Sequence, residues 1–434
     1  MGELEAGAGR ACITPPLGVP LGGYAARIET SRGVHDDLYS RALVLYDGDN
    51  YAALVSTELL YVTRKLVESV RKLVEEEVGI PRGSILISAV HTHSGPSILG
   101  FHLVEEYRFL DDYISLLPGL VASSLIEACR ELRKAEVRWG KGRVDGWTIN
   151  RRKPLEGPLD NEVIALSVNA REGRCIGSLV NFTCHAVVLG HNNLLVSADY
   201  PGYVSRTVEK LLGGECLFMN GACGDVNPMT PGTRIERVYD RSVGTFKDAE
   251  MMGVAIGCEA VKVLCSASSR LDVKVATAKK CLELRVRRLP EFSEEEIEEI
   301  KVRYRDLLRR GKADEALKVG WRLRTMEFTR RLREEFPGGI IKTEIQAIRV
   351  GGLVIVALPG EPMVEIGLAI KSSSKADVTA VVGYSNDALG YLPTNRAFDE
   401  GGYEVSLPVC IVDRGAEDKI VSTALSLVDE VLSA

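Results

Sequence analysis

Apolar positions along the chain fall in short runs that stop at Gly, Pro or Asp, and these runs read as strands separated by amphipathic helices. A strand over 9–16 ends at Pro15-Pro16. Strands are predicted at Tyr39–Tyr46 and 51–55, joined by Asp47-Gly48-Asp49-Asn50, a strong hairpin signal. Thr57 is a candidate cap for a helix in which Leu60, Leu66, Val70, Leu73, Val74 and Val78 form one stripe, ended by Gly79 and Pro81. A strand over 84–90 follows. Further on, the pattern predicts a helix from about 112 to 135, kinked or interrupted at Pro118-Gly119. Strands follow at 162–168 and 176–184, then a helix from an N-cap Asp199 to Leu212, with Pro201 in its first turn. The remaining predicted elements are strands at 216–219, 352–358 and Val378–Val382 and a last helix over 418–432.

The stretch 291–336 differs from its surroundings. It opens with Ser293-Glu294-Glu295-Glu296 and carries Ile297, Ile300, Tyr304 and Leu307-Leu308 at helical spacing. Gly311 breaks it, and a second charged helix runs over about 313–335. This is the pattern of a helical hairpin, fit for a lid or a homo-oligomer contact rather than for chemistry. The fold class that results is α/β: a single domain over 1–434, with mixed β-sheets covered by α-helices and an inserted charged helical hairpin at 291–336.

Composition narrows this picture only slightly. A chain of 434 residues with 45% hydrophobic and 26% charged residues has the make-up of a globular protein, and a net charge of -6 gives no reason to expect nucleic acid as a partner. No uninterrupted apolar run approaches a membrane span, and the opening Met-Gly-Glu-Leu-Glu lacks the basic start and apolar run of a signal peptide, so a cytoplasmic location is expected. Ten cysteines without CxxC pairs read as thiols, with pairing left open. Gln346 is the only glutamine, and Glu, Arg, Lys and Val are abundant, a bias found in thermophilic proteins.

One regularity points to chemistry. Apolar strands end in polar residues beside Gly or Pro: His91 and His93, His185, Asp225 and Asn227, Glu361, and Tyr391. The carboxyl ends of strands are where α/β proteins gather their ligand sites. Residues i and i+2 of an extended backbone share a side, which turns His91 and His93 toward one cavity. Three of the six histidines lie at these ends, and two or three imidazoles with a carboxylate make a normal ligand set for catalytic zinc.

Taken in order, His91-Thr92-His93-Ser94-Gly95-Pro96, Asn150-Arg151, Asn181-Phe182…His185, Gly224-Asp225-Val226-x-Pro228, Pro359-Gly360-Glu361 and Gly390-Tyr391 resemble the motifs of the neutral (non-lysosomal) ceramidases over residues 8–400. The resemblance implies a Zn2+ ion held by His91, His185, Glu361 and Tyr391, with His93 as the nearby acid/base and Arg151 and Asp225 lining the reacting centre. It implies hydrolysis of an N-acyl amide by a metal-activated water, with an acyl-amide or lipid-like small molecule as substrate. The family carries Ser where this chain has Asn227. On this reading Asn227 and Tyr391 donate hydrogen bonds to the oxyanion, so that the position needs a donor and not a nucleophile. The same residues also suit a zinc esterase or other hydrolase on a non-sphingolipid substrate, or a non-catalytic metal- or ligand-binding relative.

Overall fold

The structure, a computed structural model, describes residues 3–100, 102–104, 107–271 and 273–434. Its strands form an eight-stranded mixed sheet and a four-stranded mixed sheet, with three two-stranded pairs near their ends. The large sheet has two halves. One half contains Glu5–Cys12, Tyr39–Tyr46, Tyr51–Thr57 and Ile85–Ala89, and the other contains Arg133–Arg143, Glu162–Ala170, Cys175–Phe182 and Glu215–Asn220. Only Glu5 and Ala6, paired with Lys134 and Arg133, join them. The second half folds back so that Asn220 Nδ2 donates to Val90 O at 3.0 Å, across what would otherwise be opposite edges.

Alternation along each strand explains the layering. On Tyr39–Tyr46, Leu43 and Leu45 enter a core shared by both halves and the small sheet, where they meet Leu166, Leu179, Ile348 and Ile355. Their neighbours Ala42 and Val44 face outward, onto helices Arg64–Val78 and Leu110–Arg130. The outer face of the second half is covered by Asp199–Leu212 and Phe246–Ser266, and that of the small sheet by Val364–Ser373 and Ala416–Ser433. Each four-stranded unit thus buries one face in the common core and hides the other under two helices.

Several sequence expectations need correction. Thr57 closes its strand. The helix begins at Arg64, capped by Thr63, whose hydroxyl accepts from Leu66 N, and Leu60 therefore lies in the connection rather than on the helix. The helix predicted over 112–135 is Leu110–Arg130, unbroken at Pro118, and its expected last turn belongs to the strand Arg133–Arg143. This helix is long and apolar enough to cross a membrane, although no such run was expected; Tyr113, Leu117, Val121, Leu125 and Ala128 pack it onto the sheet. Asp199 is the first helical residue rather than the N-cap, at φ 60°, and its carboxylate accepts from the amides of Leu189 and Tyr200. The pattern missed the helix Phe246–Ser266 and the strands Val275–Arg285 and Ile340–Val350. All ten cysteines are free thiols.

The charged stretch forms helices Glu294–Arg309 and Ala313–Glu335. It connects two strands that pair in register over eleven residues, Val275 to Val350 through Arg285 to Ile340. Its apolar positions Ile297, Tyr304, Leu307, Leu323 and Met326 pack on one another and on Leu103, and the Tyr304 hydroxyl donates to Leu103 O.

Close approach of helix and strand sets a tight constraint at Gly7. A Cβ there would lie 2.0 Å from Ala128 O, inside the helix Leu110–Arg130. Gly7→Ala should lower stability by about 1–3 kcal/mol, the usual penalty of overpacking, as measured by urea unfolding; an unchanged midpoint would show that the helix can move away.

Candidate active site

The loops that leave three parallel strand pairs meet at one end of the molecule. Ile85–Ala89 leads to His91 and His93, Cys175–Phe182 to His185, and Leu353–Ala357 to Glu361. Thr92 bridges to Ala186, Ser88 to Ser385, and Glu361 pairs in parallel with Tyr391. The site is therefore held by backbone contacts between its own loops. His91 does not continue the strand: its φ is 66°, so the extended i, i+2 relation to His93 does not apply. The two rings still converge, with Nε2 atoms 3.1 Å apart.

His91, His93 and His185 are all buried, and their ligating atoms lie within 4.8 Å of one another. Nδ1 of His91 donates to Leu60 O at 2.8 Å, and Nδ1 of His185 donates to Cys223 O at 2.6 Å. Each bond fixes a tautomer that puts the lone pair on Nε2, the arrangement found around metal-ligating imidazoles; in this structure that of His185 also accepts from Arg151 Nη1 at 3.5 Å. Both lone pairs face Glu361 Oε2, at 3.4 Å from His91 and 3.2 Å from His185. That oxygen is buried and has no hydrogen-bond donor, whereas Oε1 accepts from the Tyr61 hydroxyl. Three lone-pair atoms aimed at one point, without a proton among them to share, suit a cation, so the residues fit a metal.

Electrostatics agree with this geometry. Burial, then the Arg151 charge, lowers the His185 imidazole to about 4, so it is neutral at pH 7. Burial, and then His91 and His185, hold the His93 imidazole well below its ordinary value. His93 differs from the other two in one respect: its Nδ1 has no hydrogen-bond partner. Its Nε2, 3.1 Å from the His91 Nε2 lone pair, is the ring nitrogen that carries the proton, and Nδ1 is the one left to accept another.

Around this centre lies a cavity of about 680 Å³. Leu60, Ile98, Leu99, Leu317, Trp321 and Phe328 supply much of its apolar wall, three of them from the second helix of the inserted hairpin. A volume of this size accommodates a ligand of drug or lipid-chain dimensions.

A family model for the neutral/alkaline non-lysosomal ceramidases, N-terminal part, matches residues 4–259. The chain belongs to this family. Among its relatives, the neutral ceramidase of Drosophila melanogaster is 26% identical over 53% of this chain and 37% of its own length. That of Mycobacterium tuberculosis is 24% identical over 88% of this chain and 70% of its own. The chain spans 34% of the length of neutral ceramidase B from Dictyostelium discoideum. The crystal structure of neutral ceramidase from Pseudomonas aeruginosa shares the fold, with a TM-score of 0.75 at 17% identity over 99% of this chain and 75% of the other.

Within the ceramidase fold, the other candidate residues occupy distinct positions. Arg151 is buried; Nη2 donates to the Tyr391 hydroxyl at 2.7 Å, and Nε donates to Glu404 at 2.7 Å. Burial pushes the Tyr391 hydroxyl well above its usual range, more than the Arg151 charge lowers it. Asp225 stands behind the cavity: Oδ1 accepts from Val364 N and Oδ2 from Asn150 Nδ2, both at 2.8 Å. It ties together loops that carry the site, and both its oxygens are spent on that task. Asn227 lines the cavity, but its orientation corrects the expected role. Nδ2 donates to Val238 O at 3.1 Å and Oδ1 accepts from Arg151 Nη1 at 3.2 Å, so Asn227 presents an acceptor to Arg151 rather than a donor to an oxyanion.

Sequence reasoning passed over Tyr61, Tyr403 and Glu404. Tyr61 was absorbed into a helix that starts three residues later, although it follows a strand end like the other site residues. Tyr403 and Glu404 follow Gly401-Gly402, both at positive φ, in a short turn with no strand before it. Glu404 is fully buried and binds Arg151, Arg152 and the Tyr239 hydroxyl. Glu404→Ala should therefore cost about 3–5 kcal/mol by leaving Arg151 buried without its carboxylate, and Glu404→Gln less. Chemical denaturation of the two variants checks this order; equal losses would show that hydrogen bonding, not charge, is what Arg151 requires.

Proposed function

We propose that this protein is a zinc-dependent amidohydrolase that cleaves an N-acyl amide with a long apolar acyl chain. The observation that carries the reading is the convergence of His91 Nε2, His185 Nε2 and Glu361 Oε2 on one point of a largely apolar cavity. Similarity to neutral ceramidases supports an amide as the scissile group and makes ceramide the first compound to test.

His91, His185 and Glu361 would hold the zinc ion, with the Tyr391 hydroxyl turned toward the same region by its parallel pairing to Glu361. Zinc there supplies Lewis acidity, which polarises an amide carbonyl and makes water a nucleophile near neutral pH. His93, the one of the three imidazoles whose Nδ1 makes no hydrogen bond, takes the proton of the attacking water and delivers it to the departing amine nitrogen. Arg151 holds the Tyr391 hydroxyl at 2.7 Å and spreads positive charge over it, so this pair is the donor set for the oxygen that becomes negative. Asn227 and Glu404 fix the Arg151 guanidinium from two sides. The apolar wall excludes water from the acyl chain.

Purified protein should contain one zinc ion per chain by elemental analysis, and His185→Ala or Glu361→Ala should lose most of it. Tyr391→Phe should retain the metal yet lose about 10²–10³ in kcat on an N-acyl amide, the usual effect of removing an oxyanion donor. Full metal content in both ligand variants would overturn the site, and a Tyr391→Phe protein as fast as wild type would remove that hydroxyl from the mechanism.

A further inference from the structure

The wall of the cavity contains a group that the proposed hydrolysis does not use. Arg241 is 3% exposed and lines the cavity together with His93, His191 and Tyr24. Its Nε donates to Val187 O at 3.0 Å, which straps the side chain onto the loop two residues past His185. Both terminal nitrogens, Nη1 and Nη2, are buried and have no hydrogen-bond partner. Among the described residues no carboxylate comes within ion-pairing distance of it. Asp199 and Asp240 act on it from further away, and Asp199 already spends its oxygens on the amides of Leu189 and Tyr200. Burying a guanidinium with four donor hydrogens unmet is costly, and proteins retain such a group where something else meets it.

Arg27 lies on the same side of the site. It is 2% exposed, donates to the carbonyls of Gly22, His93 and Gly190, and stacks over Tyr24 at 5.1 Å; its Nε is likewise unbonded. The Tyr24 ring packs edge-on against His93 at 4.8 Å. This corner therefore places two buried guanidinium groups beside the proton-carrying imidazole, with one buried carboxylate, Asp199, and the more exposed Asp240 acting on Arg241.

We propose that Arg241 is the anchor of an anion subsite, and that the amine half of the natural substrate carries a carboxylate which pairs with its two terminal nitrogens. The inference rests on the amidohydrolase reading above and refines its substrate: an N-acyl amino acid type of compound, with the acyl chain along Leu60, Trp321 and Phe328 and the carboxylate at Arg241. A guanidinium fork matches a carboxylate through two parallel hydrogen bonds. His93, packed against Tyr24 between the metal ligands and this corner, lies where the amine nitrogen of such a substrate leaves.

The test uses zinc-loaded protein and two amides with the same dodecanoyl chain, dodecanoylglycine and dodecanoylethanolamide. Wild type should prefer the glycine conjugate in kcat/KM. Arg241→Met should lower that preference roughly 10- to 100-fold, the worth of a charge-assisted hydrogen bond, through the KM of the carboxylate substrate rather than through kcat. Arg241→Lys should restore part of it, with folding of both variants checked by circular dichroism. Equal or better use of the ethanolamide by wild type would overturn the subsite, as would a preference unchanged in Arg241→Met. If neither amide is cleaved, the amidohydrolase reading fails, and calorimetric binding of the same two compounds to wild type and Arg241→Met decides the subsite separately: tighter Arg241-dependent binding of the glycine conjugate supports it, and equal affinities overturn it.

Discussion

The structure turns on a carboxylate that is buried but only half satisfied. Glu361 has one oxygen held by the Tyr61 hydroxyl and the other facing two imidazole lone pairs. Removing a carboxylate from water is expensive, and only opposite charge or donated hydrogen bonds repay it. The backbone carbonyls of Leu60 and Cys223 fix both imidazoles in the tautomer that withholds a proton from Glu361. A cation resolves this conflict, and the fold is arranged to present it. Glu361 comes from the small sheet, and His91 and His185 come from the two halves of the large one. The fold-back of the large sheet at Glu5 and Ala6 is what lets the last two meet.

This dependence explains why the site was more legible in the sequence than the architecture around it. Polar residues after apolar runs stand out in a one-dimensional pattern, and His91, His93, His185, Glu361 and Tyr391 all carry that mark. Strand existence was legible too, because alternation over Tyr39–Tyr46 and the turn Asp47–Asn50 are local signals. The sheet's division into halves was not, since it depends on a two-residue pairing between segments far apart in the chain. Strands Val275–Arg285 and Ile340–Val350 escaped because several of their positions are exposed and charged, which blurs the alternation. The orientation of the Asn227 amide was equally out of reach: it is set by Arg151 on one side and Val238 O on the other.

The hairpin illustrates how a charged sequence can still serve a binding cavity. Its exposed surface is rich in Glu, Arg and Lys, and on composition alone it reads as a solvated cover. Its second helix nevertheless turns Leu317, Trp321 and Phe328 toward the cavity, while Leu323 and Met326 pack toward the first helix and Leu103. Two apolar edges on one helix leave a weak amphipathic signal, because they point in different directions. An insertion between two paired strands can change in length and sequence without disturbing their register. The apolar wall of the cavity is thus free to vary while His91, His185 and Glu361 stay fixed by the sheets.

The treatment of buried charge separates scaffold from site throughout the molecule. Arg71 is almost wholly buried, and its guanidinium donates to Ile85 O, Glu68, Glu344 and Gln346. Arg41 is similarly engaged with Glu58 and Glu209. Both of these arginines are supplied with carboxylates, whereas Arg27 is met by backbone carbonyls alone. Arg151, which lines the cavity, is likewise met by Glu404, Tyr391 and Asn227. Arg241 has no such company, although it is as deeply buried as Arg41. The carboxylate of Asp199, which acts on Arg241 from further away, does not pair with it. Instead that carboxylate is tied to two backbone amides, which fixes the helix start and leaves the terminal nitrogens of Arg241, a residue lining the cavity, without a partner. The unmet donors at Arg241 and the unmet acceptor at Glu361 are then the same kind of feature with opposite sign, one suited to an anion and the other to a cation, in the lining of one cavity.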